Sequence, residues 1–261
     1  MITADLRNPT LAATVQGVCD AIGDEVYQIM LAMSGRSPAT EERIIRECLS
    51  HRPCGMLIHN TTHTALSRRM LQDADIPIVE VGNMTRNPID SVVSYSNFDA
   101  IKKLTEHLTA TCSRIAFVGL AARYGDRAKS RRDGYVAGLK QAGIKPDSNR
   151  IIEAPNSKSG GQILTELVQS QPDTDAVIFA GGDLAYDAVL ERRRRGWEEP
   201  MRIAIASYDE ALVRSLPNVL SLRIPRYDIG RRALETILLR LRGSITEPTR
   251  VEFPFELLTS H

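Results

Sequence analysis

The sequence has no long hydrophobic run, almost no net charge and only four cysteines. No apolar stretch approaches the roughly 20 residues of a membrane-spanning helix, so we expect no membrane span and no membrane partner. The 33 basic and 32 acidic side chains leave a formal charge of +1, which gives no electrostatic reason to expect nucleic-acid binding by the whole chain. The cysteines show no paired spacing and no signal peptide opens the chain, so we expect reduced thiols and a cytoplasmic protein.

Three motifs of nucleotide-binding proteins and hydrolases are also missing. The chain contains no G-x-G-x-x-G, no G-x-x-x-x-G-K-[ST] and no G-x-S-x-G. These absences count against a dinucleotide site, a phosphate-binding loop and a nucleophilic serine at a strand-to-helix turn. We therefore expect no enzymatic activity and no cofactor.

Apolar segments that end in small and acidic residues recur along the chain. Residues 176–180 run into 181–183 (Gly-Gly-Asp), and residues 203–206 run into 207–209 (Ser-Tyr-Asp). Buried parallel strands end in this way at the carboxyl edge of a sheet, where open α/β folds bind ligands. Segments with helical spacing alternate with them, which predicts parallel sheets with helices on both faces. About ten strands are too many for one such sheet, so we expect two similar lobes with a cleft between them.

Two clusters of functional side chains are expected to have only structural roles. His59 and His63 are four residues apart, but they flank a strand end and a threonine-rich loop, and the sequence places no acidic or cysteine partner nearby. We therefore expect two loop histidines and no metal site. The arginine run 192–195 closes a helix that opens at Asp183, so these charges complement the helix dipole at a solvated helix end.

A third cluster, the basic segment 123–132, leaves two explanations open. It contains Arg123, Arg127, Lys129, Arg131 and Arg132, in a loop and the first turn of a helix predicted over 130–142. Cations are unfavourable at a helix N-terminus. One explanation is an anionic ligand, because guanidinium groups bind carboxylates through two parallel hydrogen bonds. The other is an ordinary basic surface loop.

Seven segments match a set of motifs in order and with the correct spacing. They are Asp5-Leu6-Arg7-Asn8-Pro9-Thr10 (D-x-x-N-P-[FT]), Asp90-Ser91-Val92-Val93 followed by Asn97 (D-S-V…N), Glu106-His107-Leu108 with Arg114-Ile115-Ala116-Phe117-Val118-Gly119 (E-H-L…R-I-A-F-[VI]-G), Arg131-x-x-Gly134-Tyr135 (R-x-x-G-[YFW]), Asp183-Leu184-Ala185 (N-D-x-[MA]-A), Tyr208-Asp209 (G-[FY]-D) and residues 253–258 (P-x-E-L). Together they cover essentially the whole chain and resemble the effector-binding domain of LacI-type transcription regulators, which is periplasmic-binding-protein-like. Residues 27–31, 41–43, 62–64 and 97–100 are most similar to gluconate-type repressors.

The resemblance implies an architecture, a set of ligand contacts and an effector class. Each lobe would be a parallel sheet with helices on both faces: an N-terminal lobe of residues 1–95 plus 226–248, and a C-terminal lobe of residues 96–225 plus 249–261. The effector, a sugar or a sugar acid such as gluconate, would bind in the cleft between them. The implied effector-binding residues are Asn8, Thr10 and Arg36 of the N-terminal lobe, and Asp99, Arg127, Arg131, Asp183 and Asp209 of the C-terminal lobe.

The sequence departs from the family pattern at three places. Gly182 stands where an asparagine is usual and Ile224 where a polar residue is common, so the implied pocket loses hydrogen-bonding groups. The helix-turn-helix headpiece and hinge helix of these regulators are not in this sequence, so we expect operator DNA to be bound only through that missing part.

The resemblance implies a non-enzymatic, homodimeric sensory domain of a transcription regulator. Two alternatives belong to other functional classes. A periplasmic-type sugar-binding protein of a transporter predicts a signal peptide and a monomer. A flavodoxin-like or sugar-processing enzyme predicts a nucleophile, a metal site or a phosphate loop.

Overall fold

The chain folds into two compact units, each built from separate segments. The structure, a computed structural model, describes residues 1–3, 9–35, 37–121, 125–155, 157–197 and 203–259. The first unit comprises Met1–Ser96 and Pro225–Pro254, and the second comprises Asn97–Ile224 and Phe255–His261. The chain therefore passes from one unit to the other three times.

The first unit contains a six-stranded parallel sheet. Its strands are β1 (Ile2–Thr3), β2 (Ala32–Met33), β3 (Met56–Ile58), β4 (Ile78–Glu80), β5 (Ser91–Ser94) and β11 (Arg250–Glu252), and its helices are α1 (Pro9–Ile22), α2 (Pro38–Ser50), α3 (Ala65–Gln72) and α8 (Arg226–Leu241). The strand order is β11-β5-β4-β3-β1-β2, and all neighbours are parallel. The order reverses at β1, because β2 and β3 lie on opposite sides of it. This reversal is the topological switch point, the usual ligand position in open α/β sheets.

The second unit repeats this strand order. Its strands are β6 (Ile115–Gly119), β7 (Ile151–Glu153), β8 (Ala176–Phe179), β9 (Ala204–Ser207), β10 (Val219–Arg223) and β12 (Glu256–Leu258), and its helices are α4 (Asn97–Leu108), α5 (Asp126–Gln141), α6 (Gly160–Ser170) and α7 (Gly182–Arg194). The order is β12-β10-β9-β8-β6-β7, and only β12 is antiparallel to its neighbour. The switch point of this sheet lies between β6 and β8.

Local sequence signals explain where several helices begin. Ser37 precedes Pro38 at the first position of α2, and the Ser37 hydroxyl accepts a hydrogen bond from the amide of Thr40. Ser159 and Gln162 form a reciprocal capping box at the start of α6. Helices then pack closely wherever glycine removes a side chain. A Cβ atom at Gly230 of α8 would lie 2.0 Å from the carbonyl oxygen of Thr14 in α1.

These observations confirm the predicted α/β class, with two similar units that each contain a largely parallel sheet flanked by helices on both faces. Within the part of the chain that the structure describes, no helix is both long enough and apolar enough to cross a membrane.

Three sequence-based expectations about the fold are wrong in detail. The sequence assigns residues 249–261 to the second lobe, with one strand within 251–258. In the structure, β11 pairs with β5 of the first unit, and only β12 pairs with a strand of the second unit. Pro254 separates the two strands, and it has no N–H to donate. The apolar segment 26–33 predicts one long strand, but only Ala32–Met33 pairs, with the two residues of β1. Helix α5 begins at Asp126, four residues before the predicted start, after Gly125 with a φ of 126°.

Candidate functional site

Arg131 is fixed at the carboxyl edge of the second unit's sheet. It lies in the second turn of α5, and its Nε donates to Asn97 Oδ1 at 2.8 Å while Nη1 donates to the carbonyl oxygen of Ala180 at 2.9 Å. Its guanidinium carbon lies 3.6 Å from the ring centroid of Tyr208, whose hydroxyl donates to the same Asn97 oxygen at 2.7 Å. Ala180 directly follows β8, so this cluster of three side chains lies at the switch point. Two hydrogen bonds and a cation–π contact hold the guanidinium in one orientation.

Some N–H groups of the Arg131 guanidinium remain available to a ligand. A guanidinium carries five N–H groups, and Arg131 uses one on Nε and one on Nη1. Within the described part of the chain, its Nη2 has no hydrogen-bond partner. The side chain is half-buried, so a ligand carboxylate paired with it would be partly removed from water.

Two predicted aspartates lie at the same edge. Asp209 follows β9, is 4% exposed and accepts a hydrogen bond from the amide of Ala211 at 2.8 Å. Asp183 is exposed in the first turn of α7. A Cβ atom at Gly182 would come no closer than 3.7 Å to Asp209, so packing does not demand a glycine there. A Cβ atom there would make only an ordinary van der Waals contact with the Cβ and backbone oxygen of Asp209.

The basic segment 123–132 divides into residues with different surroundings. Lys129 pairs with Asp133, and Arg132 lies 3.5 Å from the same carboxylate, both on the solvent side of α5. These two cations are ordinary surface groups. Arg127 lies four residues before Arg131, which places it on the same face of α5. Arg123 lies outside the described residues.

The structure describes the other predicted contacts less fully. In the first unit, Asn8 and Arg36 lie outside the described residues, and Thr10 is the second residue of α1 with only its backbone described. Asp99 is exposed in the first turn of α4, two residues after Asn97. Their roles in effector binding stay predictions.

A buried ionic cluster lies at the carboxyl edge of the first unit. The His63 side chain is 1% exposed, with Nδ1 2.7 Å from Glu41 Oε1 and Nε2 3.2 Å from Glu80 Oε1. The second oxygen of Glu41 accepts from Asn60 Nδ2 at 2.6 Å, and that of Glu80 accepts from the amide of Ile89 at 2.5 Å. Burial alone would lower the pKa of His63, but hydrogen bonds and attraction from the two glutamates raise it to about 9.

This cluster overturns the expectation that His63 has no acidic partner. Glu41 and Glu80 lie 22 and 17 residues away in sequence, and strand order brings them together. Among the described residues, no group of three or more histidine, cysteine or acidic side chains is arranged to hold a metal ion. His63 is therefore an ion-pair partner.

The arginine run also differs from the expected solvated helix end. Arg194 and Arg195 both pair with Glu191 at the surface. Arg192, however, is 5% exposed and donates to the carbonyl oxygen of Ile203 at 3.0 Å. One of the four arginines is therefore part of the packed interior.

Sequence reasoning missed Asn97 and Tyr208 as parts of the site. The sequence around Asn97 predicts a helix cap, but the structure shows it fully buried and accepting hydrogen bonds from two side chains. Tyr208 was quoted only as part of a motif. The available signal was that both residues fall within the motifs that suggested the family.

Comparisons with known proteins identify the family and the fold of the chain. A profile of the family described as periplasmic binding proteins and sugar binding domain of LacI family matches residues 1–230. The HTH-type transcriptional regulator GntR of Pseudomonas aeruginosa is 29% identical over 263 residues, spanning 99% of this chain and 76% of that protein. The structure of the transcription regulator GntR from Chromobacterium violaceum has a TM-score of 0.90 at 27% identity, covering 99% of this chain and 97% of that one. A transcriptional regulator CelR–cellobiose complex has a TM-score of 0.84 at 25% identity, covering 99% and 82%.

Proposed function

The chain belongs to the family of periplasmic binding proteins and LacI-type sugar-binding domains, and from this premise we propose that it senses a sugar acid and controls operator binding. It is the effector-binding and dimerisation domain of a cytoplasmic transcription regulator and has no catalytic role. The segments that resemble gluconate-type repressors support a gluconate-like effector, and the CelR–cellobiose complex supports sugar binding in general. These relatives are transcription regulators, so they lend no support to the transporter alternative.

The observation that carries the proposal is the fixed Arg131 at the switch point of the second unit. Its Nη2 and Nη1 are positioned to donate to a carboxylate without any further loss of side-chain freedom. A desolvated carboxylate requires such a partner, whereas a neutral hydroxyl gains less from it. We assign effector contacts to Asn8, Thr10, Arg36, Asp99, Arg127, Arg131, Asp183 and Asp209, with the aspartates accepting hydrogen bonds from sugar hydroxyls.

The test is calorimetric titration with gluconate and with glucose. The unaltered protein should bind gluconate at least tenfold more tightly than glucose. Arg131→Gln should weaken gluconate binding by about tenfold to a hundredfold, the equivalent of about 1.5–3 kcal/mol for a charged hydrogen bond. Lys129→Gln removes the same charge from the solvent side of the same helix and should change affinity less than twofold.

Two results would contradict the proposal. Equal affinity for gluconate and glucose would reject a sugar-acid effector while leaving the family membership intact. Unchanged gluconate affinity in Arg131→Gln, with an unfolding curve like that of the unaltered protein, would place the ligand elsewhere.

The proposed homodimer is supported by exposed apolar side chains beside the edge strand β2. Met30, Leu31 and Met33 are all more than a third exposed, and β2 is the last strand of its sheet. Apolar groups beside an unpaired strand edge are typical of an association surface. Sedimentation should show a dimer at micromolar concentration, and Met33→Glu should weaken it more than the equally charged Leu66→Glu on α3. A monomer would contradict this part of the proposal.

A further inference from the structure

The loop of residues 59–64 occupies the switch point of the first unit. It follows β3, which lies beside β1 where the strand order reverses. The amide of His59 donates to the carbonyl oxygen of Ile2 at 2.9 Å, so the loop starts directly beside the end of β1. Loops in this position form the ligand-facing edge of open α/β sheets. The conformation of this loop therefore determines which groups the first unit presents there.

Side chains of this loop reach two different elements. His63 bonds to Glu41 in the first turn of α2 and to Glu80 at the end of β4. Thr64 Oγ1 donates to Glu42 of α2 at 2.8 Å and also caps α3. The acidic groups that meet this loop thus come from α2 and β4, and His59 is its only other titratable residue.

The geometry fixes the number of protons in the cluster. Carboxylate oxygens only accept hydrogen bonds, and a neutral imidazole has one N–H. Because both nitrogens of His63 face glutamate oxygens, the cluster needs a second proton, either as an imidazolium or on one carboxyl group. In both cases Glu41, His63 and Glu80 together carry a net charge of −1. Without His63, two buried carboxylates would face each other with no cation between them.

We propose that His63 is a positioning residue that holds the 59–64 loop against α2 and β4 in the conformation that binds the effector. This inference rests on the proposed effector site, but His63 itself touches no ligand because its side chain is buried. Its two hydrogen bonds bring the loop, the start of α2 and the end of β4 into one rigid edge.

The protonation state is tested by nitrogen-15 NMR of the unaltered protein at pH 7.5. In the imidazolium form of the cluster, His63 should show protons on both ring nitrogens, one facing each glutamate. A neutral His63 beside two deprotonated glutamates, exchanging between its tautomers, would overturn the proposal, because one ring nitrogen would then face a carboxylate with no proton between them.

The positioning role is tested with His63→Gln against the matched control His51→Gln, at the end of α2. Hydrogen exchange at pH 7 should accelerate at least tenfold for the protected amides of His59, Ser67 and Arg68, with the second unit unchanged. Gluconate affinity should fall at least tenfold at pH 7. It should recover to within threefold of the unaltered protein at pH 5, where a carboxyl proton replaces the lost cation. His51→Gln should show none of these changes.

The outcomes separate the two proposals. If the unaltered protein does not bind gluconate, the sugar-acid effector is rejected, and loop exchange still decides whether His63 positions the loop. If gluconate binds and His63→Gln changes neither loop exchange nor affinity, the positioning role is rejected while the effector assignment stands. An affinity loss equal at pH 7 and pH 5 also rejects it, because only a charge-dependent role recovers with acid.

Discussion

Replacing His63 by glutamine should destabilise the protein by an amount that passes through a maximum near pH 6–7. In the folded protein the pKa of His63 is raised from 6.5 to about 9. A raised histidine pKa contributes stability that is fully present below 6.5 and is lost as the pH rises through 9. The raised pKa of His63 contributes about 3 kcal/mol to the free energy of unfolding below pH 6, about 2 kcal/mol near pH 7.5 and less than about 0.5 kcal/mol at pH 9.

The variant should respond to pH in a different range. With His63 gone, the buried Glu41 and Glu80 carboxylates face each other with no cation between them, so acid that protonates one of them relieves the repulsion. This relief stabilises the variant at acid pH and is lost as the pH rises. The difference between the two proteins should therefore shrink on both sides of its maximum.

Urea unfolding of both proteins at intervals from pH 4.5 to 9.5 measures this profile. The double variant His63→Gln/Glu80→Gln removes the repulsion and should recover at least half of the loss at pH 7. A difference in unfolding free energy that is constant across this range would refute the reasoning, because loss of packing alone does not titrate.

Two further predictions concern packing within the second unit. Gly160→Ala should lower the free energy of unfolding by about 2 kcal/mol or more, because a Cβ atom there would lie 1.8 Å from the Leu184 carbonyl oxygen. Gly182 is also at a helix start, but a Cβ atom there would have no neighbour nearer than 3.7 Å. Gly182→Ala should therefore change the free energy of unfolding by no more than about 0.5 kcal/mol. Tyr135→Phe should cost about 1 kcal/mol, because the buried hydroxyl donates to the Ile115 carbonyl oxygen at 2.7 Å. Thermal unfolding checks all three, and equal effects of the two glycine substitutions would contradict the packing argument.

Local signals in the sequence were sufficient to predict the class of fold. Pro38 after a serine predicts the start of α2, and the apolar runs that become β8 and β9 end where acidic and small residues begin. The start of α5 was predicted four residues too late, and basic residues that are unfavourable near a helix N-terminus lie within its first two turns. One of them, Lys129, is paired with Asp133 one turn later, which reduces that cost.

The contacts that define the site were harder to predict because they join residues far apart in sequence. Arg131 was predicted from a motif, but its partners Asn97 and Tyr208 lie 34 and 77 residues away. They converge only because α4 and α5 begin, and β9 ends, at the same edge of the sheet. The cluster at His63 depends on β3 and β4 being neighbours. Spacing along the chain carries no information about such pairings, whereas strand order determines them directly.

The three passages of the chain between the units have a consequence for synthesis. The first unit receives α8 and β11 only after residues 97–224 have been made, a delay on the order of ten seconds at typical translation rates. Until then β5 is an edge strand without its neighbour β11. Helix α1 also lacks α8, whose Gly230 allows the two helices to pack closely. The second unit receives β12 later still. Neither unit is complete until the last stretch of chain emerges, so a nascent chain exposes two unfinished sheets together and a premature stop near Pro225 leaves both of them open.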